Sequence, residues 1–175
     1  MKPRYKILAS VAPVVFVLDQ LTKLLIIGSV SPLERIAVIP GFFDIVQIRN
    51  PGAAFGAFAR LSPEIRLPFF YLTSVVALGV LVAYFIRFRE ERRSVFFQLS
   101  LIVGGAVANV TDRIFRKEVV DFLSFHWYDR SVVWRIGGET LRFRLEWPAF
   151  NVADAAITVG AVGLMILLMR KDPAP

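Results

Sequence analysis

Four long apolar segments restrict this chain to a fold that crosses a membrane. They cover residues 7–30, 67–86, 94–113 and 151–169. Each is close to the roughly 20 residues that an α-helix needs to cross the hydrocarbon layer of a bilayer. Hydrophobic residues make up 56% of the 175 residues, a larger share than soluble domains of this size carry. The sequence therefore predicts one integral membrane domain, residues 1–175, of the all-α class with four transmembrane helices.

The charged residues are concentrated at the ends of the apolar segments. The formal net charge is +7, and the short segments 2–6, 87–93 and 170–172 hold nine basic residues against three acidic ones. Basic residues that flank spans mark the cytoplasmic side of a membrane. We therefore expect both termini and the 87–93 turn in the cytoplasm, and segments 31–65 and 114–150 outside it. This distribution also argues against nucleic acid as a partner.

The absence of cysteine and the single histidine, His126, limit the available chemistry. Without a thiol the chain can form no disulfide, no cysteine nucleophile and no thiolate-ligated metal site. One histidine also argues against a transition metal held by the protein. We therefore expect neither a metal nor another cofactor.

Two extracytoplasmic segments carry strand patterns. Ile36–Ile48 is rich in β-branched and aromatic residues around Pro40-Gly41, and Val132–Leu145 alternates around Gly137-Gly138. Both patterns are typical of short strands joined by a turn. We therefore expect a small extracytoplasmic sheet and loop region beside the helices.

Polar residues interrupt the first apolar segment and follow it. Asp19 and Lys23 are four residues apart, so they share a helix face and can pair. They could form a structural ion pair or could contact a substrate. Further on, the segment Asn50–Gly56 is rich in small residues, which allow a close backbone approach to a helix or ligand but also suit a tight turn.

Asp154 is the only charged residue in the last apolar run, Val152–Met169. A carboxylate costs roughly 2.5–3.5 kcal/mol at the centre of a membrane helix and less near its end. One explanation is a helix start, with Asn151 as the N-cap. The other is an acid held at the membrane surface for chemistry.

A second acid, Asp121, follows the third span, so the predicted topology brings it to the same interface as Asp154. Two neighbouring carboxyl groups cannot both ionise easily, and aspartic proteases use such a pair to activate water. Asp112 is a third acid, but beside Arg113 we interpret it as a salt-bridge or helix-end residue. Further polar residues are predicted at the same level: Asn50, Asn109, Arg113 and Asn151.

Five sequence blocks occur in a fixed order along the four predicted spans. They are Asp19–Lys23, Asn50–Gly56, Gly104–Arg113, Val119–Phe122 and Trp147–Asp154. In this order the blocks resemble the lipoprotein signal peptidase family, also called signal peptidase II, and the resemblance covers most of the chain.

The resemblance implies a membrane aspartic endopeptidase of the bacterial cytoplasmic (inner) membrane. Such an enzyme removes the signal peptide of prolipoproteins by cutting before a diacylglyceryl-modified cysteine, at the outer face. By the same resemblance Asp121 and Asp154 are catalytic, the 31–65 region cradles the lipidated peptide, and the peptide antibiotic globomycin is an inhibitor. The resemblance also implies a set of substrate-binding or supporting residues: Asp19, Lys23, Asn50, Gly56, Asn109, Arg113 and Asn151.

This sequence departs from the family pattern at two places. The family commonly has serine after the final catalytic aspartate, where this chain has Ala155, and the segment from Asp121 to Trp147 is longer than usual. An alternative function is a small four-helix transporter or proton-conducting bundle, with a relay through Asp19, Lys23, Asp112 and Asp154. That function predicts ionisable residues through the depth of the spans, whereas the middles of the second to fourth spans have none.

Overall fold

A computed structural model describes residues 2–32, 34–51, 62–87, 92–136 and 139–169. The helices are α1 (Pro3–Ser29), α2 (Pro63–Arg87), α3 (Arg93–Arg116) and α4 (Val152–Met169). The strands are β1 (Arg35–Ile39), β2 (Phe43–Asn50), β3 (Val119–Ile136) and β4 (Glu139–Glu146). Parts of the predicted features lie outside the described residues: Gly52–Gly56, the turn at Gly137-Gly138, most of the 87–93 turn, and Arg170-Lys171.

The helices occupy the four predicted apolar segments. Within the described residues, α1, α3 and α4 are long and apolar enough to cross a membrane, and α2 carries a shorter apolar stretch, Leu72–Ala83. Both α1 and α2 begin four residues before the predicted spans, each at a proline. Proline suits the first helical position because the missing N–H has no partner there in any case. The structure therefore supports a multi-pass membrane fold that includes a small antiparallel sheet.

The Cα positions divide the chain into two compact units. The first comprises Met1–Thr22, Asn50–Val119 and Val152–Pro175, and the second comprises Lys23–Arg49 and Val120–Asn151. In the first unit, a buried cluster forms around Phe85 and Phe96, whose ring centroids lie 5.4 Å apart. Tyr5 of α1 packs against Phe85 at 6.1 Å. These contacts bury aromatic surface from three helices of the unit.

Glycines of α3 allow the helices of the first unit to pack closely. A Cβ atom placed on Gly104 would lie 2.8 Å from the carbonyl oxygen of Ala12 in α1. A Cβ atom on Gly105 would lie 2.5 Å from the carbonyl oxygen of Ala153 in α4. Small residues give helices in lipid this close approach, which strengthens their van der Waals contact.

The second unit contains most of a four-stranded sheet with the order β1-β2-β3-β4. β1 and β2 pair antiparallel, with Arg35 opposite Val46, and Gly41 in their turn has φ of 76°. β3 and β4 also pair antiparallel, with Ile136 opposite Glu139. Both predicted strand pairs are confirmed.

β3 is longer than the sequence indicates, because it begins at Val119 and not near Val132. Its first part is buried on both faces, as the burial of Val120, Asp121 and Phe122 shows. A strand buried on both faces lacks the alternation of apolar and polar residues by which strands are predicted.

A polar cluster around the buried Asp44 joins the strands of the second unit. Asp44 Oδ2 accepts hydrogen bonds from Arg35 Nη1 at 2.7 Å and pairs with His126 Nε2 at 3.0 Å. Arg35 Nη2 also donates to Glu146 Oε1 at 3.1 Å. The hydrogen bond to Asp44 is the main reason that the pKa of Arg35 lies above its ordinary value. His126, the only histidine, is therefore part of the framework of the sheet.

Candidate active site

Asp154 lies in the first turn of α4 and is partly buried. Its Oδ1 accepts a hydrogen bond of 2.7 Å from the side-chain amide of Asn109. Asn109 belongs to α3 and is only 6% exposed. The close approach of α3 and α4 at Gly105 and Ala153 brings these two helices near enough for the bond. The structure thus pairs one predicted catalytic acid with one predicted supporting residue.

Arg113 follows Asn109 by one helical turn. Its Nη1 donates a hydrogen bond to the backbone carbonyl of Asn109 at 3.3 Å. A cation in the last turn of a helix also interacts favourably with the helix dipole. Arg113 is therefore held beside the residue that contacts Asp154.

Asp19 is fully buried and contacts the start of α4. Its Oδ1 accepts a hydrogen bond of 2.9 Å from the backbone N–H of Ala153, the residue before Asp154. The first four N–H groups of a helix have no partner inside the helix. A carboxylate of α1 therefore satisfies one of these donors, and its negative charge is favourable at a helix N-terminus.

Asp121 lies in β3 and is 3% exposed. Its Oδ1 accepts a hydrogen bond of 2.8 Å from the side-chain amide of Asn151, which is fully buried. The same amide donates to the carbonyl oxygen of Val120 at 3.3 Å. Backbone hydrogen bonds from Phe122 and Leu123 to the carbonyl oxygen of Phe150 align the two segments. The second predicted acid is thus also held by a predicted asparagine.

The two acids therefore have the same kind of neighbour. An amide N–H can donate to a carboxyl oxygen whether the acid is ionised or protonated. Such a donor orients the carboxyl group while still allowing it to exchange a proton. This is suitable for a group that acts as an acid in one step and as a base in another.

The other predicted site residues are placed as follows. Lys23 is fully buried in α1, and Asn50 is the partly buried last residue of β2. Gly56 lies outside the described residues. The ion pair between Asp19 and Lys23, and the pairing of Asp121 with Asp154, stay predictions. Among the described residues, no three His, Asp or Glu side chains are grouped to hold a metal ion.

The interpretation of Asp112 as a salt-bridge residue near the end of a helix is confirmed. Asp112 forms an ion pair with Arg116, four residues later in α3, and also accepts a hydrogen bond from Gln20. The i,i+4 spacing of Asp112 and Arg116 was the available signal, because residues four apart share a helix face. The contacts of Gln20 with Asp112 and Arg116 leave no local sequence signal, because these two partners are far away along the chain.

Comparison with known proteins identifies the family. The family model described as "Signal peptidase (SPase) II" matches residues 11–170. The chain is similar to a "Lipoprotein signal peptidase" of Syntrophotalea carbinolica, with 41% identity over 169 residues that cover 97% of this chain and 94% of the relative. A protein of the same name from Geobacter sulfurreducens is 41% identical over 172 residues, covering 98% and 97%.

Solved structures show the same relationship. A bacterial membrane enzyme solved by the in meso method at 1.9 Å resolution has a TM-score of 0.73 and 30% identity, over 94% of both chains. These comparisons support the protease interpretation of the sequence. They give no support to the transporter alternative. With its apolar helices and small sheet, the chain belongs to the signal peptidase II family of membrane proteases.

Proposed function

We propose that this chain removes the signal peptide from diacylglyceryl-modified prolipoproteins, with Asp121 and Asp154 as its catalytic acids. The observation that carries the assignment is the pair of hydrogen bonds from Asn151 to Asp121 and from Asn109 to Asp154. The names of the relatives support the lipoprotein precursor as substrate. The family resemblance of the sequence blocks supports the lipidated cysteine.

The reaction follows from the chemistry of two carboxyl groups that share one proton. The ionised carboxyl takes a proton from a water molecule, and the oxygen of that water attacks the scissile carbonyl carbon. The protonated carboxyl donates a hydrogen bond to the carbonyl oxygen as negative charge develops there. Proton transfer to the leaving amine then completes the cleavage. Either acid can take either role, because a coupled pair titrates as one unit.

The remaining predicted residues have supporting roles in this proposal. Asn109 and Asn151 orient the carboxyl groups, Arg113 holds Asn109, and Asp19 holds the first turn of α4. A further set is assigned to substrate binding from the family resemblance alone: Lys23, Asn50 and Gly56.

The proposed orientation is four spans in the bacterial inner membrane, with both termini in the cytoplasm and the acids at the outer face. The chain has no cysteine, so single cysteines can report the topology. We expect a membrane-impermeant maleimide to label Pro40→Cys in intact spheroplasts, and to label Lys2→Cys only after the membrane is opened. The reverse pattern would invert the topology.

The substrate assignment predicts a strong dependence on lipidation. We expect a prolipoprotein with its diacylglyceryl group to be cut at least about 100-fold faster than the unmodified precursor, because each buried CH₂ group contributes roughly 0.8 kcal/mol. A gel-shift assay with purified enzyme measures both rates. Globomycin should suppress cleavage of the lipidated precursor, in keeping with the inhibitor expected for the family. Equal rates for the two precursors would contradict the substrate assignment.

A further inference from the structure

A polar cluster in the first unit lies beside the contact between Asp19 and α4. We call it the Gln20 cluster, and it consists of Gln20 of α1 with Asp112 and Arg116 of α3. Gln20 Nε2 donates to Asp112 Oδ1 at 3.0 Å, and Arg116 Nη1 donates to Gln20 Oε1 at 2.8 Å. Arg116 also forms its ion pair with Asp112. None of these three residues belongs to the catalytic assignment.

The composition of the cluster fixes the orientation of the Gln20 amide. Arg116 can only donate, so the oxygen of the amide must face it, and the NH₂ group must face the acids. Gln20 Nε2 lies 3.3 Å from Asp19 Oδ2 as well as 3.0 Å from Asp112 Oδ1. The amide is therefore a donor placed between two carboxyl groups.

The cluster is expected to add little to the free energy of unfolding, so stability alone does not explain it well. Asp112 is fully buried, and a buried ion pair often stabilises a protein no more than apolar residues of the same volume would. The hydrogen bonds continue from Gln20 to Asp19, and from Asp19 to the backbone N–H of Ala153. Asp154 is the next residue. The cluster is thus connected to the proposed catalytic acid through one further carboxyl group.

We propose that the Gln20 cluster is a positioning device for Asp154. Gln20 holds the Asp19 carboxyl group in the orientation that binds the Ala153 N–H, and this fixes the first turn of α4. Asp112 and Arg116 hold Gln20 in turn. The proposal rests on the catalytic assignment of Asp154. It makes Gln20, Asp112 and Arg116 positioning residues, since they act through Asp19 and the helix.

An exchange of amide and carboxyl group separates this role from a purely structural one. In Gln20→Glu/Asp112→Asn the new glutamate can pair with Arg116 and accept from the new asparagine amide. The internal bonds of the cluster are therefore rebuilt, but position 20 has no donor left for Asp19. A second variant, Gln20→Met, removes the donor without adding a charge. Ser100→Ala is the matched control, because Ser100 is a buried α3 residue that bonds only to the Phe96 carbonyl among the described contacts.

The experiment measures kcat, KM and the melting temperature with a lipidated precursor. We expect the exchange variant and Gln20→Met to lower kcat about 10- to 100-fold, because a small displacement of a catalytic group is enough for such a loss. KM should stay within about twofold of wild type. Ser100→Ala should leave both constants unchanged. If the cluster serves stability alone, the exchange variant should have both the kcat and the melting temperature of wild type, because its internal bonds are rebuilt. That result would overturn the proposal.

Two further outcomes are distinguished by including Asp154→Asn. If Asp154→Asn is inactive while folded Gln20→Met keeps the wild-type kcat, the positioning role is wrong and the catalytic assignment stands. If Asp154→Asn keeps the wild-type kcat, the catalytic assignment fails and the positioning role fails with it. If KM in the Gln20 variants rises by the same factor as kcat falls, substrate binding is also impaired. That result would count against a role limited to positioning Asp154.

Discussion

Replacement of Asp121 or Asp154 by asparagine is expected to lower kcat for a lipidated prolipoprotein on the order of 10⁴-fold, since removing one member of a catalytic unit disables the whole unit. Asparagine nearly preserves the shape of aspartate and still offers an oxygen to Asn151 or Asn109. It cannot exchange a proton with water or with the carbonyl oxygen. The loss should therefore appear in single-turnover cleavage, while the melting temperature stays close to that of wild type.

The matched control is Asp44→Asn. Asp44 is a buried acid of the same sheet as Asp121, but it pairs with Arg35 and His126. Its replacement removes the counter-charge of Arg35 and changes a buried hydrogen bond to His126 Nε2, and disturbing a buried hydrogen-bond network destabilises a protein. We expect this variant to melt at a lower temperature and to keep its kcat. Near-normal turnover by Asp121→Asn or Asp154→Asn would remove that residue from the catalytic pair.

The second large effect is expected from Gly105→Ala. The new Cβ atom would lie 2.5 Å from the carbonyl oxygen of Ala153 and 2.9 Å from Cγ1 of Ile157. A backbone oxygen cannot rotate away as a side chain can, so α4 has to shift. Overpacking of this kind costs about 1–3 kcal/mol. Because the displaced oxygen belongs to the residue before Asp154, we expect kcat to fall together with the melting temperature.

Gly79→Ala in α2 is the control for this substitution. A Cβ atom on Gly79 meets nothing within 4 Å. Alanine is favoured over glycine inside a helix by up to about 1 kcal/mol, so this variant should be neutral or slightly stabilised. Thermal melts in detergent and the gel-shift assay measure both variants. Equal melting temperatures and cleavage rates for Gly105→Ala and Gly79→Ala would show that the packing of α3 against α4 does not require glycine at position 105.

The sequence predicted the helices and the members of the candidate site because both leave local signals. A long apolar segment is a span by its length alone, and an acid inside such a segment stands out. Asn109 and Asn151 were also expected near the acids. The sequence could not tell which asparagine contacts which acid, because this depends on how α3 meets α4 and how β3 runs beside Phe150.

Other features could not be predicted because their partners are distant along the chain. Gln20 is 92 residues from Asp112 and 96 from Arg116, so no helical spacing connects them. The ion pair of Asp112 with Arg116 is different, because residues four apart in a helix share a face and so leave a local signal. The early start of β3 was hidden for a different reason, since a strand buried on both faces shows no alternation.

The hydrogen bond from Ala153 to Asp19 also has a consequence for biosynthesis. The two residues are 134 positions apart, so the first helix is synthesised long before Ala153 is available to it. The first turn of the last helix, and with it Asp154, is completed only when both ends of the chain are in the membrane. On the proposed catalytic assignment of Asp154, partially synthesised copies lack a complete site and cannot yet cut the precursors that share their membrane.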